Sequence, residues 1–408
     1  MPIDDAPREA NRILHSQQFI DDPESLFAPL RTHHPVCPVR TSSGRQVWLI
    51  SRDEDVRALL GDERLIMTGA YGAGASGTRN ALDRNLLDLD GAEHTAVRRL
   101  AAGALSARAV SRHRDLITRI IATHAERLPV AEPIELITAF IRPATLASTC
   151  TVLGLPEADW PAVEGWVRAL LSPRQGTMHV ETALEALEPY LRDLVRKRRE
   201  LPQDDVLSAI SSAECPDDVT ENDIVSLCGM LVIASFENTG RTIANAVHRF
   251  VRHPGEFSRY ATTDPAERHV LLEDLIRVSL PEPLSSVRVA ARPVQVGDHV
   301  IRTGERVMFA FGAANHDERR YPDPAWVAPR RNAPDHLSFG KGAHFCLGAA
   351  LARTQIAVTL DELVRRFADI HLVNDRGPVW QGTYRHRELV RLDVRLLPLS
   401  QGRARHDR

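Results

Sequence analysis

Long apolar runs are absent from this 408-residue sequence. A membrane-spanning helix needs about 20 apolar residues, and no stretch of that kind occurs. The opening segment MPIDDAPREANRIL is polar and charged, so it lacks the apolar centre of a secretory signal. The net charge is also small: 51 basic and 54 acidic residues leave a balance of −3. Such a balance argues against bulk affinity for nucleic acid. We therefore expect a cytoplasmic protein with no membrane or nucleic-acid partner.

Paired cysteines are absent as well. The five cysteines are scattered, odd in number and without a CxxC pair; they are Cys37, Cys150, Cys215, Cys228 and Cys346. This pattern argues against a disulfide framework and gives no support to a structural zinc site. A reducing cytosol suits such a set of thiols.

What the sequence does contain is an ordinary globular composition, 43% hydrophobic and 26% charged, without internal repeats or low-complexity linkers. We expect one domain over residues 1–408, mainly α with small β-sheets. Apolar spacing predicts a hairpin over Val36–Ile50, helices over Asp53–Leu60 and from Glu93 to Arg199, a buried central helix over Asp223–Val251, a helix over Arg268–Leu280, short strands between residues 287 and 311, and a last long helix from Leu347 to Phe367.

The sharpest motif is FGKGAHFCLGAALAR, which runs from Phe339 to Arg353. Its first two glycines permit a tight turn, and we expect a helix to start at Cys346. A thiolate at a helix N-terminus meets free backbone N–H groups, which would lower its pKa. The small residues that follow leave room for a flat partner. The alternatives are a buried cysteine that acts as a small hydrophobe, or a nucleophile with His344 as its base.

This motif matches Phe-Gly-x-Gly-x-His-x-Cys-Leu-Gly at every fixed position, and the whole chain resembles the soluble bacterial cytochromes P450. The resemblance implies the cytochrome P450 fold, with haem b (iron protoporphyrin IX) between the central helix and the last long helix. It implies that Cys346 is the metal ligand, that Phe339 packs near the sulfur, and that Gly340 and Gly348 also bind the cofactor. It also places His344 by a haem propionate. A thiolate ligand favours cleavage of the O–O bond.

Two further donors precede this motif on a predicted helix. His94 and Arg98 are four residues apart and share a helix face, which suits two carboxylates. The alternative is a solvated helix face. The resemblance implies that both bind haem propionates and that Arg288, in a predicted strand, is a third donor.

The family also carries a Glu-x-x-Arg pair on the helix before that strand. Here Asp274 stands three residues before Arg277, and an i, i+3 ion pair can still form. We favour Asp274 over Glu273 for this role, and Arg331 would complete the network.

The central helix contains the family's oxygen-activating pattern Ala/Gly-Gly-x-Asp/Glu-Thr, which distorts the helix above the iron. Ala234, Ser235, Glu237 and Asn238 occupy it here, so the usual glycine and threonine are replaced. A carboxylate in a buried helix is costly without a partner, so Glu237 is a catalytic candidate; the alternative is a structural ion pair. Thr239 cannot simply replace the lost threonine, because one residue turns a helix by about 100 degrees.

Asn238 is a poor proton carrier, which leaves three hypotheses. Asn238 could hold a water that relays protons, the substrate could supply a hydroxyl, or the enzyme could favour radical chemistry over oxygen insertion.

The resemblance implies a monooxygenase that uses O2 to oxidise a small, secondary-metabolite-like substrate. Alternatives are an oxidative coupling or cyclisation enzyme on aromatic or indole-like substrates, and a haem-thiolate protein that binds ligands without turnover. Without a fused electron-transfer domain, electrons would come from a ferredoxin and its reductase. A docking face would include, unless they are ordinary surface cations, Arg99, Arg112, Arg330, Arg331, Lys341 and Arg353. Three regions are expected to line the substrate pocket: Met67–Arg79, Trp166–Met178 and Thr383–Leu389.

Overall fold

The computed structural model describes residues 6–68, 80–171, 177–253, 255–327, 335–373 and 377–399. Helices dominate these ranges: α1 (Ala6–Leu14), α2 (Gln17–Asp21), α3 (Glu24–His33), α4 (Asp53–Leu60), α5 (Gly91–Ala102), α6 (Ala107–Arg112), α7 (Arg114–Ala125), α8 (Arg142–Leu153), α9 (Trp160–Leu171), α10 (Thr177–Glu200), α11 (Val206–Ser211), α12 (Glu221–Arg252), α13 (Glu256–Thr262), α14 (Arg268–Val278), α15 (Phe311–Asn315) and α16 (Ala349–Arg366).

The strands are short: β1 (Val36–Arg40), β2 (Gln46–Ile50), β3 (Leu65–Ile66), β4 (Pro133–Glu135), β5 (Arg288–Ala290), β6 (Val294–Val296), β7 (His299–Ile301), β8 (Arg306–Phe309), β9 (Phe367–Leu372), β10 (Val379–Gly382), β11 (Arg387–Arg391) and β12 (Asp393–Pro398). They form a five-stranded sheet in the order β1-β2-β8-β5-β3, a three-stranded sheet β4-β12-β9, and the pairs β10-β11 and β6-β7. The predicted mainly α class with small sheets is confirmed, as is the hairpin of β1 and β2.

The central helix α12 is stabilised by hydrogen bonds at its N-terminus and by burial of its sides. The Thr220 hydroxyl accepts the backbone N–H of Asp223, and the Asp223 carboxylate accepts the backbone N–H of Thr220 in return. Much of the following surface is buried against α8, α10 and α16. The prediction of a buried central helix over Asp223–Val251 is confirmed.

The last long helix, α16, packs across α12 and also contacts α6 and α7. Its buried side chains join one apolar core that extends from α1 to β12. This crossing, with α5 and the segment that joins α14 to β5, surrounds the cavity described below. The single domain over residues 1–408 stays a prediction. Among the described residues, no helix has the length and apolar character needed to cross a membrane.

Candidate active site

The cysteine loop takes the shape that its glycines allow. Gly340 and Gly342 have φ values of +69° and +77°, in the left-handed region that other residues avoid. A Cβ on Gly342 would lie 2.9 Å from the carbonyl oxygen of Leu60. Both the backbone conformation and this contact therefore exclude a side chain at Gly342. The backbone N–H of Cys346 donates to the carbonyl of Phe339 at 2.9 Å and closes the loop. The predicted glycine turn is confirmed.

Two expectations about Cys346 were wrong. The helix begins at Ala349 rather than at the cysteine, because a turn over residues 347–348 comes between them. Burial raises the pKa of the Cys346 thiol above its ordinary value, although the N–H of Gly348 and the charges of Arg98 and Arg353 oppose this. The effect of burial therefore exceeds that of the Gly348 N–H and the two arginines. A coordinated metal would deprotonate the thiol outright.

Cys346 faces a large cavity, which makes its side chain accessible although protein surrounds it. The cavity holds about 1770 Å³ of empty space, counting the part open to solvent. A pocket for one small ligand holds roughly 300–1000 Å³, so this one has room for a flat macrocycle and a second molecule. Its described lining includes all but one of the predicted site residues: His94, Arg98, Ala234, Ser235, Asn238, Arg288, Phe339, Gly340, His344, Cys346 and Gly348.

Two arginines and two histidines, called the cation cluster below, meet at this cavity: Arg98, Arg288, His94 and His344. Arg98 Nη2 donates to the carbonyl of Phe345 at 2.6 Å, and Arg288 Nη1 donates to that of Leu60 at 3.1 Å. The rings of His94 and His344 lie 4.3 Å apart between centroids. Burial and neighbouring cations lower the pKa of His94, and lower that of His344 to about 4.

These donors fit the two propionates of a haem. The buried Nε2 of His94 and Nδ1 of His344 have no hydrogen-bond partner among the described residues. Burial likewise lowers the pKa of Arg98 and of Arg288. Two carboxylates would accept bonds from the orphaned nitrogens and offset the crowding of positive charge. The residues present therefore fit the group that the sequence implies.

One face of α12 forms another wall of the cavity. Ala234, Ser235 and Asn238 line it, and the hydroxyl of Ser235 donates to the carbonyl of Leu231 at 2.5 Å. Thr239 also borders the cavity, one residue further along α12 than Asn238. The helix is uninterrupted over its length, so the expected distortion is not present.

Glu237 is the exception among the predicted catalytic residues. Its half-buried side chain pairs with Arg241, whose Nη2 also lies 3.5 Å from Glu388 Oε2. This cluster lines a smaller pocket beside the main cavity. The geometry is that of the alternative, a structural ion pair, and the catalytic role of Glu237 stays a prediction.

The scaffold pair is Asp274 with Arg277, as favoured from the sequence. Arg277 Nε donates to Asp274 Oδ1 at 2.6 Å, and both side chains are almost fully buried. Glu273 instead accepts two bonds from Arg353 at 2.8 Å and lies 3.2 Å from His336. Burial alone would raise the pKa of Glu273, but the bonds from His336 and Arg353 lower it to about 2.

Arg353 was expected to contribute to a docking face; its side chain pairs with Glu273, and its part in docking stays a prediction. Its guanidinium is bound by Glu273 and lies 4.4 Å from the ring centroid of Phe339. Arg353 therefore packs on Phe339, at the start of the cysteine loop. Arg330 and Arg331 lie outside the described residues.

The expected pocket regions fared unevenly. Met67 lines the main cavity, and residues 69–79 lie outside the described part of the chain. The described members of Trp166–Met178 and Thr383–Leu389 do not line it. Arg168, Glu388 and Leu389 border the smaller pocket instead.

Two acidic residues of the site were missed. Asp90 lies 3.6 Å from His344 Nε2 and accepts the backbone N–H groups of Met67 and Thr68, while Glu282 lines the cavity. Asp90 could have been noticed as the residue before α5. Glu282 carried no sequence signal, because only the fold brings it to the cavity.

The observations define a mainly α-helical protein whose cysteine loop and cation cluster suit a carboxylate-bearing macrocycle. A family model described as cytochrome P450 matches residues 271–377. The chain is 33% identical to mycinamicin IV hydroxylase/epoxidase of Micromonospora griseorubida, over 85% of this chain and 88% of that one. It is 30% identical to cytochrome P450 107B1 of Saccharopolyspora erythraea, over 92% and 96%.

Among solved structures, the tirandamycin C-bound P450 monooxygenase TamI superposes with a TM-score of 0.83 at 30% identity, over 93% of this chain and 99% of that one. This chain belongs to the cytochrome P450 family. It is a haem-dependent monooxygenase, an oxidoreductase that acts on small organic molecules of secondary metabolism.

Proposed function

We propose that this protein holds protohaem b through the thiolate of Cys346 and uses O2 to hydroxylate or epoxidise a secondary metabolite. The observation that carries the proposal is one shared cavity. Cys346, the cation cluster and the Ser235–Asn238 face of α12 all open into it.

The division of labour follows from this placement. His94, Arg98, Arg288 and His344 would hold the propionates, while Phe339, Gly340 and Gly348 would surround the sulfur. When bound, the haem supplies the activation of dioxygen and the oxidation of substrate. The chain contributes position, electrostatics and the exclusion of water.

The face of α12 would handle protons. The Ser235 hydroxyl is tied to Leu231, so its lone pairs remain to accept a hydrogen bond from water. Asn238 can donate and accept, and would hold that water one turn further along the same face. Glu237 could reach this water only through rearrangement, since Arg241 holds it in the neighbouring pocket.

The names of the relatives favour insertion of oxygen over coupling and over ligand binding without turnover. They include mycinamicin IV hydroxylase/epoxidase, 6-deoxyerythronolide B hydroxylase of Saccharopolyspora erythraea and cyclomarin C epoxidase CymV of Salinispora arenicola. A mostly apolar cavity of this size suits a substrate of comparable kind.

Electrons would come from a ferredoxin and its reductase. Arg99, Arg112 and Lys341 are exposed, and they lie on α5, on α6 and in the cysteine loop. α6 packs against α16, α5 carries His94 and Arg98, and Lys341 belongs to the cysteine loop. These cations therefore lie on elements close to Cys346, where acidic carriers would be steered. A cytoplasmic location also stays a prediction. It suits the five cysteines, none of which forms a disulfide in the described structure.

The test is ligation by sulfur. We would purify the protein with haem, reduce it under carbon monoxide and record the spectrum. The expected result is the red-shifted Soret band of a thiolate complex, lost in Cys346→Ser. Cys215→Ser removes an exposed thiol and serves as the matched control, which should keep the band. A colourless protein, or an unshifted band in the unsubstituted chain, would overturn the proposal.

A further inference from the structure

The main cavity contains one acidic side chain among the described residues that line it, and that residue is Glu282. Glu282 lies in the segment between α14 and β5, at the same cavity as Cys346 and Ser286. The other ionisable groups of the lining are the cation cluster, Lys341 and Cys346 itself. A single carboxylate in a mostly apolar cavity needs an explanation, because an ionised group facing apolar surroundings is costly.

The carboxylate is only half satisfied within the protein. Its Oε1 lies 3.2 Å from Nδ1 of His386, while no other side-chain partner, and none for Oε2, occurs in the described part of the chain. Burial alone would raise the pKa of Glu282. The bond to His386 and the charges of His386, Arg385 and Arg241 lower it instead. The group is therefore an anion at neutral pH with one oxygen left to bind something else.

The surroundings hold this carboxylate in place. The backbone N–H of Arg387 donates to the carbonyl of Pro281 at 3.1 Å, next to Glu282. Arg385 Nη2 donates to the hydroxyl oxygen of Ser286 at 3.3 Å. The hairpin of β10 and β11 thus fixes the segment from both ends, so ordering the site on binding costs little.

The neighbouring hydroxyls differ in what they leave free. The hydroxyl of Ser285 already forms hydrogen bonds within the protein. It donates to the carbonyl of Ser286 at 2.7 Å and accepts the backbone N–H of Phe309 at 2.9 Å. Ser286 accepts from Arg385, so its own O–H remains to donate into the cavity. Glu282 and Ser286 together form a polar corner, which pairs an anionic acceptor with a neutral donor.

His386, Arg385 and Arg241 are the cationic or imidazole groups near this corner, and of these His386 contacts the carboxylate of Glu282. Arg241 is bound to Glu237 and lies near Glu388. The cation cluster is matched to the propionates of the haem. Arg385 donates to Ser286 and His386 lies at Oε1 of Glu282, so among the described residues Oε2 of Glu282 is the oxygen that keeps room for a further cation.

We propose that the substrate of this monooxygenase carries a protonated or quaternary nitrogen, and that the carboxylate of Glu282 binds this positive charge. The proposal rests on the proposed function for the identity of the cavity. Glu282 and Cys346 line the same cavity, so the anchor shares the space in which the reaction would take place. Binding the nitrogen there orients the rest of the substrate within the apolar part of the cavity.

The experiment measures binding to the ferric holoprotein by calorimetry, without turnover. The probes are trimethyl(2-phenylethyl)ammonium and its uncharged carbon analogue 3,3-dimethylbutylbenzene. A quaternary nitrogen has no lone pair, so it cannot coordinate iron. Glu282→Gln should weaken the ammonium about tenfold, the size of a charge-assisted contact, and change the carbon analogue less than twofold, roughly.

Two further variants sharpen the result. His386→Gln removes the competing cation, so it should leave the ammonium bound as tightly as before or more tightly. Glu305→Gln alters a carboxylate that bonds Trp48 away from the cavity, and it should change neither probe. Equal effects of Glu282→Gln on both probes, or no effect on either, would overturn the proposal. The carbon monoxide spectrum of Glu282→Gln separates this outcome from failure of the proposed function, because haem ligation should be unchanged.

Discussion

The buried ion pair of Asp274 and Arg277 should govern both the stability of the fold and the retention of haem. The side chain of Arg277 is 1% exposed and that of Asp274 is 4% exposed. Asp274→Asn keeps the shape but removes the carboxylate charge that pairs with the buried guanidinium of Arg277. Breaking such a pair costs about 3–5 kcal/mol. Arg277 keeps the carbonyls of Asn315 and Pro324, both at 2.7 Å, so we expect about 3 kcal/mol.

That loss can be converted to a melting temperature. The unfolding entropy of a chain this long is roughly 0.9 kcal/mol/K, so about 3 kcal/mol lowers Tm by about 3–4 °C. Thermal melts followed by circular dichroism would measure it. Asp193→Asn is the matched control, because Asp193 pairs with Arg196 and Lys197 on the exposed surface of α10. That variant should melt like the unsubstituted protein.

The same substitution should loosen the cysteine loop through a short chain of contacts. Arg277 donates to the carbonyl of Asn315, whose side chain accepts the N–H of Leu337 at 2.7 Å and donates to Ser338 Oγ at 2.9 Å. Phe339 follows directly. Asp274→Asn should therefore lose haem to apomyoglobin faster than Asp193→Asn. An unchanged melting temperature together with unchanged haem loss would refute this reasoning.

Two more predictions concern protons. Asn238→Thr should raise the product formed per electron consumed if proton delivery limits the reaction, since a hydroxyl relays protons better than an amide; a product-to-electron ratio that stays level or falls would indicate that asparagine is the adapted residue. Burial and nearby arginines lower the pKa of His316 to about 4. The unfolded chain therefore binds the extra proton first, and stability should be lost as pH falls from about 6.5 to 4, by up to roughly 3 kcal/mol. Urea melts across that window should show a shallower pH dependence in His316→Gln, and an identical slope would contradict the buried neutral imidazole.

The sequence predicted best where chemistry and backbone share one short segment. The cysteine loop needs its glycines at fixed positions, so Gly340, Gly342 and Cys346 identify it without any structure. Apolar spacing placed the ends of α4, α12, α14 and α16 within a few residues, whereas α1, α2, α3, α11 and α13 were not predicted. In contrast, β4 was hidden inside a stretch predicted as helical. It has three residues, and its partner strand β12 lies more than 250 positions away, so nothing local marks it.

The site itself could be predicted only in part, for a similar reason. His94 and Arg98 were visible as one helix face, and Asp274 was visible as a helical neighbour of Arg277. The position of Glu237 depended on where Arg241 and Glu388 point, which spacing along one helix does not determine. The pKa of Cys346 depended on burial, which outweighed the N–H of Gly348 and the charges of Arg98 and Arg353.

Glu282 shows what this difference means for specificity. The groups that bind the haem must match a constant cofactor, so they recur in a recognisable pattern. A group that recognises the substrate has only this chain's own ligand to match, and it can stand anywhere that the fold brings to the cavity. Glu282 reached it from a connecting segment, held by a hairpin about 100 residues further along the chain. The residue that departs from the surrounding apolar lining is therefore the one most informative about the substrate, and a carboxylate there indicates a cation.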